Sequence, residues 1–130
     1  MQDVLPTSTG VKKPSLPAHA PLRLLHVVVY FGRGAGTEHI VSTLIKGLSG
    51  DIFEHRVCIL RALDPDPETL QLLGNNFSVV GRRDERFQFL VFRLARIMRA
   101  YRPHIVHSRN WGAIESVLAG RLARVPVVIH

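Results

Sequence analysis

The sequence is poor in cysteine, acidic side chains and aromatic rings, and it holds no long uninterrupted apolar run. Cys58 is its one cysteine, so no internal disulfide can form, and the flanking Arg56-Val-Cys-Ile-Leu60 predicts a small buried side chain rather than a reactive thiol. A reducing compartment fits that usage. No stretch of about 18 consecutive apolar residues occurs, so no membrane-spanning helix is expected. Residues 1–21 place Lys12 and Lys13 among prolines and serines without an apolar segment, and so do not read as a secretory signal. Ten acidic residues against 17 basic ones leave a formal charge of +7, and 14 of the basic residues are arginine. Such a field attracts phosphates, and on charge alone nucleic acid, anionic lipid and nucleotide-linked substrates all fit.

What is present is enough for one globular domain. The chain has 130 residues, 46% hydrophobic and 21% charged, a size that supports a core without staples. Four of the eight prolines fall in residues 1–21, which read as a flexible leader. At Leu22 the character changes to a nearly continuous β-branched and aliphatic run through Phe31, as for a strand covered on both faces. The domain is expected to span 22–130.

Within it two periods alternate. Helical spacing predicts helices over 37–48, with Thr37 as cap, and over 67–73, 87–101 and 112–123. Strands are predicted over 54–60, 77–80, 104–107 and 125–129. Strands alternating with helices call for parallel pairing, so the expected architecture is α/β: a Rossmann-like open doubly wound sheet of about five strands and four helices. Ligands then bind at the carboxyl ends of the strands.

Two segments reach that edge. The first is the glycine loop Gly32-Arg33-Gly34-Ala35-Gly36, whose backbone N–H groups suit a phosphate at a helix start. It is not a dinucleotide fingerprint, because Thr37 stands where the third glycine belongs and the second strand ends Ile59-Leu60-Arg61 without an acidic residue. No Gly-Lys-Ser/Thr triplet follows, which excludes a P-loop. The bland alternative is that these glycines serve only a tight turn and close packing. The second segment is His107-Ser108-Arg109-Asn110, where an imidazole, a guanidinium and an amide suit hydroxyls and phosphate. Against that, His107 could be a satisfied strand-end histidine and Asn110 a helix cap, the reading favoured for Asn110. Arg109 needs an anion or an acidic neighbour, and Glu115 is the internal competitor.

These segments carry a resemblance. Leu24-Leu-His-Val-Val with the later Gly36-Thr-Glu38, then Arg102-Pro-His-Ile-Val-His107-Ser-Arg-Asn110, then Ala119-Gly-Arg-Leu-Ala-Arg-Val-Pro-Val-Val-Ile-His130, resemble the amino-terminal domain of a family 4 glycosyltransferase of the GT-B fold. The similarity runs from about Leu22 to His130 and is nearest to bacterial transferases of exopolysaccharide or cell-envelope assembly. It implies one half of a two-domain enzyme that transfers a sugar from a nucleotide donor with retention, this half holding the acceptor. It further implies that Gly32, Arg33, Gly34, Gly36, Thr37, Glu38, His107, Arg109, Asn110 and His130 line the cleft near substrate and donor phosphates. Gly36 and Glu38 match a family Gly-Gly-x-Glu in which Ala35 replaces the first glycine. No certain catalytic residue, metal or cofactor is expected. The nucleotide-sugar is a substrate bound mainly by a second domain, without which the chain is not expected to turn over.

Arginine also recurs along the third predicted helix. Arg86, Arg93, Arg96, Arg99 and Arg102 stand against an apolar stripe of Phe87, Leu90, Leu94, Ile97, Met98 and Tyr101, and Arg82 and Arg83 lie just upstream. This resembles the basic surface with which family members that use lipid-linked acceptors meet anionic membrane. Nucleic acid is not expected, since the apolar residues are assigned inward and no aromatic platform is interleaved with the arginines. A solvated face paired in part with Asp84 and Glu85 is the plainer reading. The expected partners are a sugar or lipid-linked sugar acceptor, a nucleotide-sugar and an anionic membrane surface. The expected location is the cytoplasm, with the inner membrane face as an open option. A non-catalytic ligand-binding or interaction module of the same fold is the alternative.

Overall fold

The aliphatic run that begins at Leu22 becomes the central strand of a five-stranded parallel sheet of order β3-β2-β1-β4-β5. The computed structural model describes residues 20–32, 36–48, 50–64, 67–80, 86–109 and 113–130. Arg33, Gly34, Arg82, Arg83, Asn110, the side chain of Thr37 and most of the leader lie outside the described residues. The elements are β1 (Leu22–Gly32), α1 (Gly36–Gly47), β2 (Phe53–Asp64), α2 (Pro67–Leu73), β3 (Phe77–Val79), α3 (Phe87–Tyr101), β4 (Ile105–Ser108), α4 (Glu115–Leu122) and β5 (Val127–Ile129). Every paired strand is parallel. The expected Rossmann-like α/β fold is therefore the one observed.

Alternation along β1 and β2 divides the core in two. Leu25, Val27 and Val29 join Cys58, Leu60 and Val106 in one cluster, covered by Leu90, Leu94 and Met98 of α3 and Ala119 of α4. Val28, Phe31, Val57 and Ile59 form the other, against Val41 of α1 and Leu73 of α2. Helices on both faces explain why β1 is apolar almost throughout. Removing a fully buried side chain such as Leu94 would cost about 2–5 kcal/mol.

The sheet's carboxyl edge is stepped. Val27 of β1 pairs with Ser108, where β4 ends, yet β1 continues to Gly32, opposite Asp64 of β2. Five further residues at about 3.3 Å each raise the Gly32 end roughly 16 Å above the ends of β4 and β5. A bulge between Val28 and Tyr30 lies at the start of this extension.

Several expected boundaries differ. β2 passes Leu60 to reach Asp64, since pairing with β1 carries it through the bulge. α1 begins at Gly36, so Thr37 lies inside the helix rather than capping it. α4 begins at Glu115 with Ile114 at its N-cap position and no side-chain cap, and Asn110, expected as the cap, lies outside the described residues. Ala113 is fully buried, and the Ser116 hydroxyl donates to its carbonyl, holding the chain before the first helical turn. β5 starts at Val127, because the Val125 N–H still bonds Gly120 and Arg124 turns the chain at φ 56°. Among the described residues no helix is long and apolar enough to cross a membrane.

Candidate functional site

Three strands place three imidazoles side by side on the sheet face that carries α1. His26 lies opposite His107 in the β1–β4 register, and His55 of β2 lies opposite Leu24, one side-chain step from His26 along that face. Nδ1 of His26 is 3.2 Å from Nδ1 of His107, and its Nε2 is 3.1 Å from Nδ1 of His55. The His26 and His55 rings stack with centroids 5.4 Å apart, whereas His107 meets His26 edge-on.

Burial decides the charge of this row. His26 is fully buried, and burial, followed by the proximity of His107 and His55, pushes its pKa down to about 3. It is neutral at pH 7 and carries one ring proton. That proton serves one neighbour, so the other neighbour must donate to His26. The row thus has a direction, and reversing it exchanges a lone pair for an N–H at Nε2 of His107, the nitrogen unused within the row. Burial lowers His55 against an opposing pull from the Leu48 carbonyl, and burial with the Arg109 charge lowers His107. Nε2 of His55 is buried without a hydrogen-bond partner. The row can set or relay a proton. Among the described residues no group of three His, Cys, Asp or Glu side chains is arranged to hold a metal.

The neighbouring strand ends bring further predicted residues together. Ser108, fully buried, places its hydroxyl 2.8 Å from Nδ1 of His130 and 3.5 Å from the Ile129 carbonyl. His107, Arg109 and His130 thus stand at the ends of β4 and β5, with His107 on the α1 face of the sheet and His130, held by Ser108, on the opposite face. Arg109 is exposed and, among the described residues, pairs with no carboxylate; Glu115 is buried with Oε2 unpartnered and does not reach it.

Of the glycine-loop residues, Arg33 and Gly34 lie outside the described residues, and Gly32 and Gly36 have other surroundings. Gly32 sits on the raised end of β1, where a Cβ would stand 2.5 Å from the Asp64 carbonyl oxygen, so close strand packing accounts for it. Gly36 has open space around its α-carbon. Glu38 faces α2 and accepts a hydrogen bond from the Thr69 hydroxyl at 2.7 Å. It ties two helices together.

The α3 surface also departs from expectation. The half-buried Arg93 donates to the Val80 carbonyl at 2.7 Å and Arg99 donates to the Leu122 carbonyl, while Arg86, Arg96, Arg99 and Arg102 are exposed along α3 and its ends. Phe87, assigned to the buried stripe, is 46% exposed at the helix start, while Phe89 and Phe92 stand 60% and 67% exposed beside Arg96. Exposed aromatic rings are thus interleaved with arginine on this helix. Cys58 is buried as expected, and burial raises its thiol to about 12.

A parallel Rossmann-like sheet with imidazole, hydroxyl and guanidinium groups at its carboxyl edge has the α/β architecture in which ligands bind beyond the strand ends. The sequence model described as Glycosyltransferase Family 4 matches residues 34–130, most of the chain. The chain belongs to glycosyltransferase family 4. No curated protein and no solved structure gives a significant match.

Sequence reasoning missed His26 and His55. Their signal was a polar residue at an inward position of an otherwise apolar strand.

Proposed function

We propose that this domain is the acceptor-holding half of a retaining sugar transferase that uses a nucleotide-sugar donor in cell-surface polysaccharide or glycolipid synthesis. The observation that carries the reading is the gathering of His107, Arg109 and the Ser108-held His130 at one edge of a family 4 domain. Imidazoles exchange hydrogen bonds with sugar hydroxyls, and the Arg109 guanidinium suits a phosphate approaching the same edge. Transfer itself requires donor and acceptor closed into one cleft, which assigns donor recognition to a second domain. The raised β1 end at Gly32 forms the upper wall of that cleft in this reading.

Saccharide-array binding tests it. The wild-type chain is expected to retain a defined set of saccharides that Arg109→Gln/His130→Gln loses. Equal binding by both proteins overturns the assignment.

The reading includes a membrane surface as second partner, with the protein in the cytoplasm at the inner membrane face. Phe89 and Phe92, exposed beside Arg96 on α3, provide the apolar anchors and charge that an anionic interface takes up.

A further inference from the structure

The opposite edge of the sheet carries a second concentration of charge. Below the amino ends of β1, β4 and β5, Arg23, Arg99, Arg102, Arg124 and His104 line a pocket of about 440 Å³ whose apolar part includes Met98. No aspartate or glutamate lines it, and among the described residues none of the four arginines has a carboxylate within ion-pair distance. The pocket is separated from the carboxyl edge by the four residues of β4, about 13 Å of strand.

Compensation of helix ends explains part of this cluster. α3 and α4 both finish here, and exposed carbonyls at helix C-termini attract cations. Arg23 accordingly donates through Nε to the Arg102 carbonyl at 2.8 Å, and Arg99 donates to the Leu122 carbonyl at 3.1 Å. Each contact uses one of five guanidinium N–H groups. Arg102 and Arg124 have no side-chain hydrogen bond among the described residues. Their backbones stand at φ 54° and φ 56°, the left-handed region where glycine or asparagine closes a helix without strain. Helix closure therefore does not account for arginine at either position. His104 adds a donor: its Nδ1 accepts the Arg23 backbone N–H at 3.0 Å, which leaves the proton of the neutral ring on Nε2.

We propose that this pocket binds a phosphate-bearing anion, with Arg102 and Arg124 as its principal guanidinium anchors. Paired guanidiniums match phosphate oxygens bidentately, and a lining without acidic side chains leaves their charge uncompensated until such a ligand arrives. The site is distinct from the transfer edge and independent of the acceptor reading. Its phosphate comes from a free anion or from a lipid headgroup.

The full chain is titrated with sodium pyrophosphate by calorimetry and sedimented with phosphatidylglycerol vesicles. Both measurements are repeated on Arg102→Asn/Arg124→Asn and on a charge-matched control, Lys46→Gln/Arg61→Gln. Asparagine tolerates the left-handed backbone, so the double variant keeps its fold, which circular dichroism verifies. Pyrophosphate binding that falls at least tenfold in the double variant but not in the control assigns a free anion. Vesicle binding lost in the double variant alone, without pyrophosphate binding, assigns a headgroup. Pyrophosphate binding that survives in the double variant or falls equally in the control overturns the proposal, as does the absence of pyrophosphate binding together with vesicle binding that is absent, unchanged in the double variant or equally reduced in the control.

Discussion

Nδ1 of His26 lies 3.2 Å from Nδ1 of His107, where the central strand β1 and its neighbour β4 face each other in register. A fully buried imidazole thereby connects the sheet interior to a residue at the candidate site. With a folded pKa near 3 against an ordinary 6.5, His26 stays neutral while the unfolded chain takes up its proton as pH falls. Stability from this group is complete above about pH 6.5 and is lost progressively toward pH 3, with about 2 kcal/mol gone between pH 7 and pH 5. Urea titrations across that range should show the decline, and His26→Phe should flatten it. An unchanged slope in the variant would refute the assignment to His26.

Gly32 and Gly36 should respond oppositely to alanine. The Gly32→Ala methyl would meet the Asp64 carbonyl oxygen, at a cost of about 1–3 kcal/mol in the urea midpoint series. Gly36→Ala enters open space at the first residue of α1 and should be neutral or stabilising by up to about 1 kcal/mol. Similar losses at both positions would contradict the distinction drawn between packing and permissive glycines.

The α3 surface predicts salt-dependent membrane binding. Phe89→Ser/Phe92→Ser should leave thermal stability within about 0.5 kcal/mol, as substitutions at exposed positions do. It should nevertheless abolish sedimentation with anionic vesicles at low salt. Retained sedimentation would remove α3 as the membrane face.

Cys58 should be inert in the folded protein. Its buried thiol, raised to about 12, is expected to react with a disulfide reagent only after denaturation. Rapid labelling under native conditions would contradict its burial.

Much of the architecture was legible because it depends on local pattern. α2 and α3 run over the predicted 67–73 and 87–101, where helical spacing, Pro67 and the Pro103 stop act within a few residues. β2 and β5 were less legible at their ends, since strand length here is set by partners: β2 follows β1 through a bulge, and β5 waits for the Arg124 turn. The site divided the same way. His107, Arg109 and His130 could be placed from strand ends alone. His26 and His55 could not, because their contact depends on the register between strands remote in sequence. The contacts of Glu38 with Thr69 and of Arg93 with the Val80 carbonyl were not legible for the same reason.

The central claim is that the ends of β4 and β5 hold the acceptor. Backbone amide spectra of the isotopically labelled chain, titrated in parallel with an array-selected saccharide and with nucleotide-sugars, test it most directly. The saccharide is expected to shift the amides of His107, Ser108, Arg109 and His130, with nucleotide-sugars alone moving at most that of Arg109. Saccharide shifts confined to other parts of the domain, or shifts of these four amides by nucleotide-sugars alone, would contradict it.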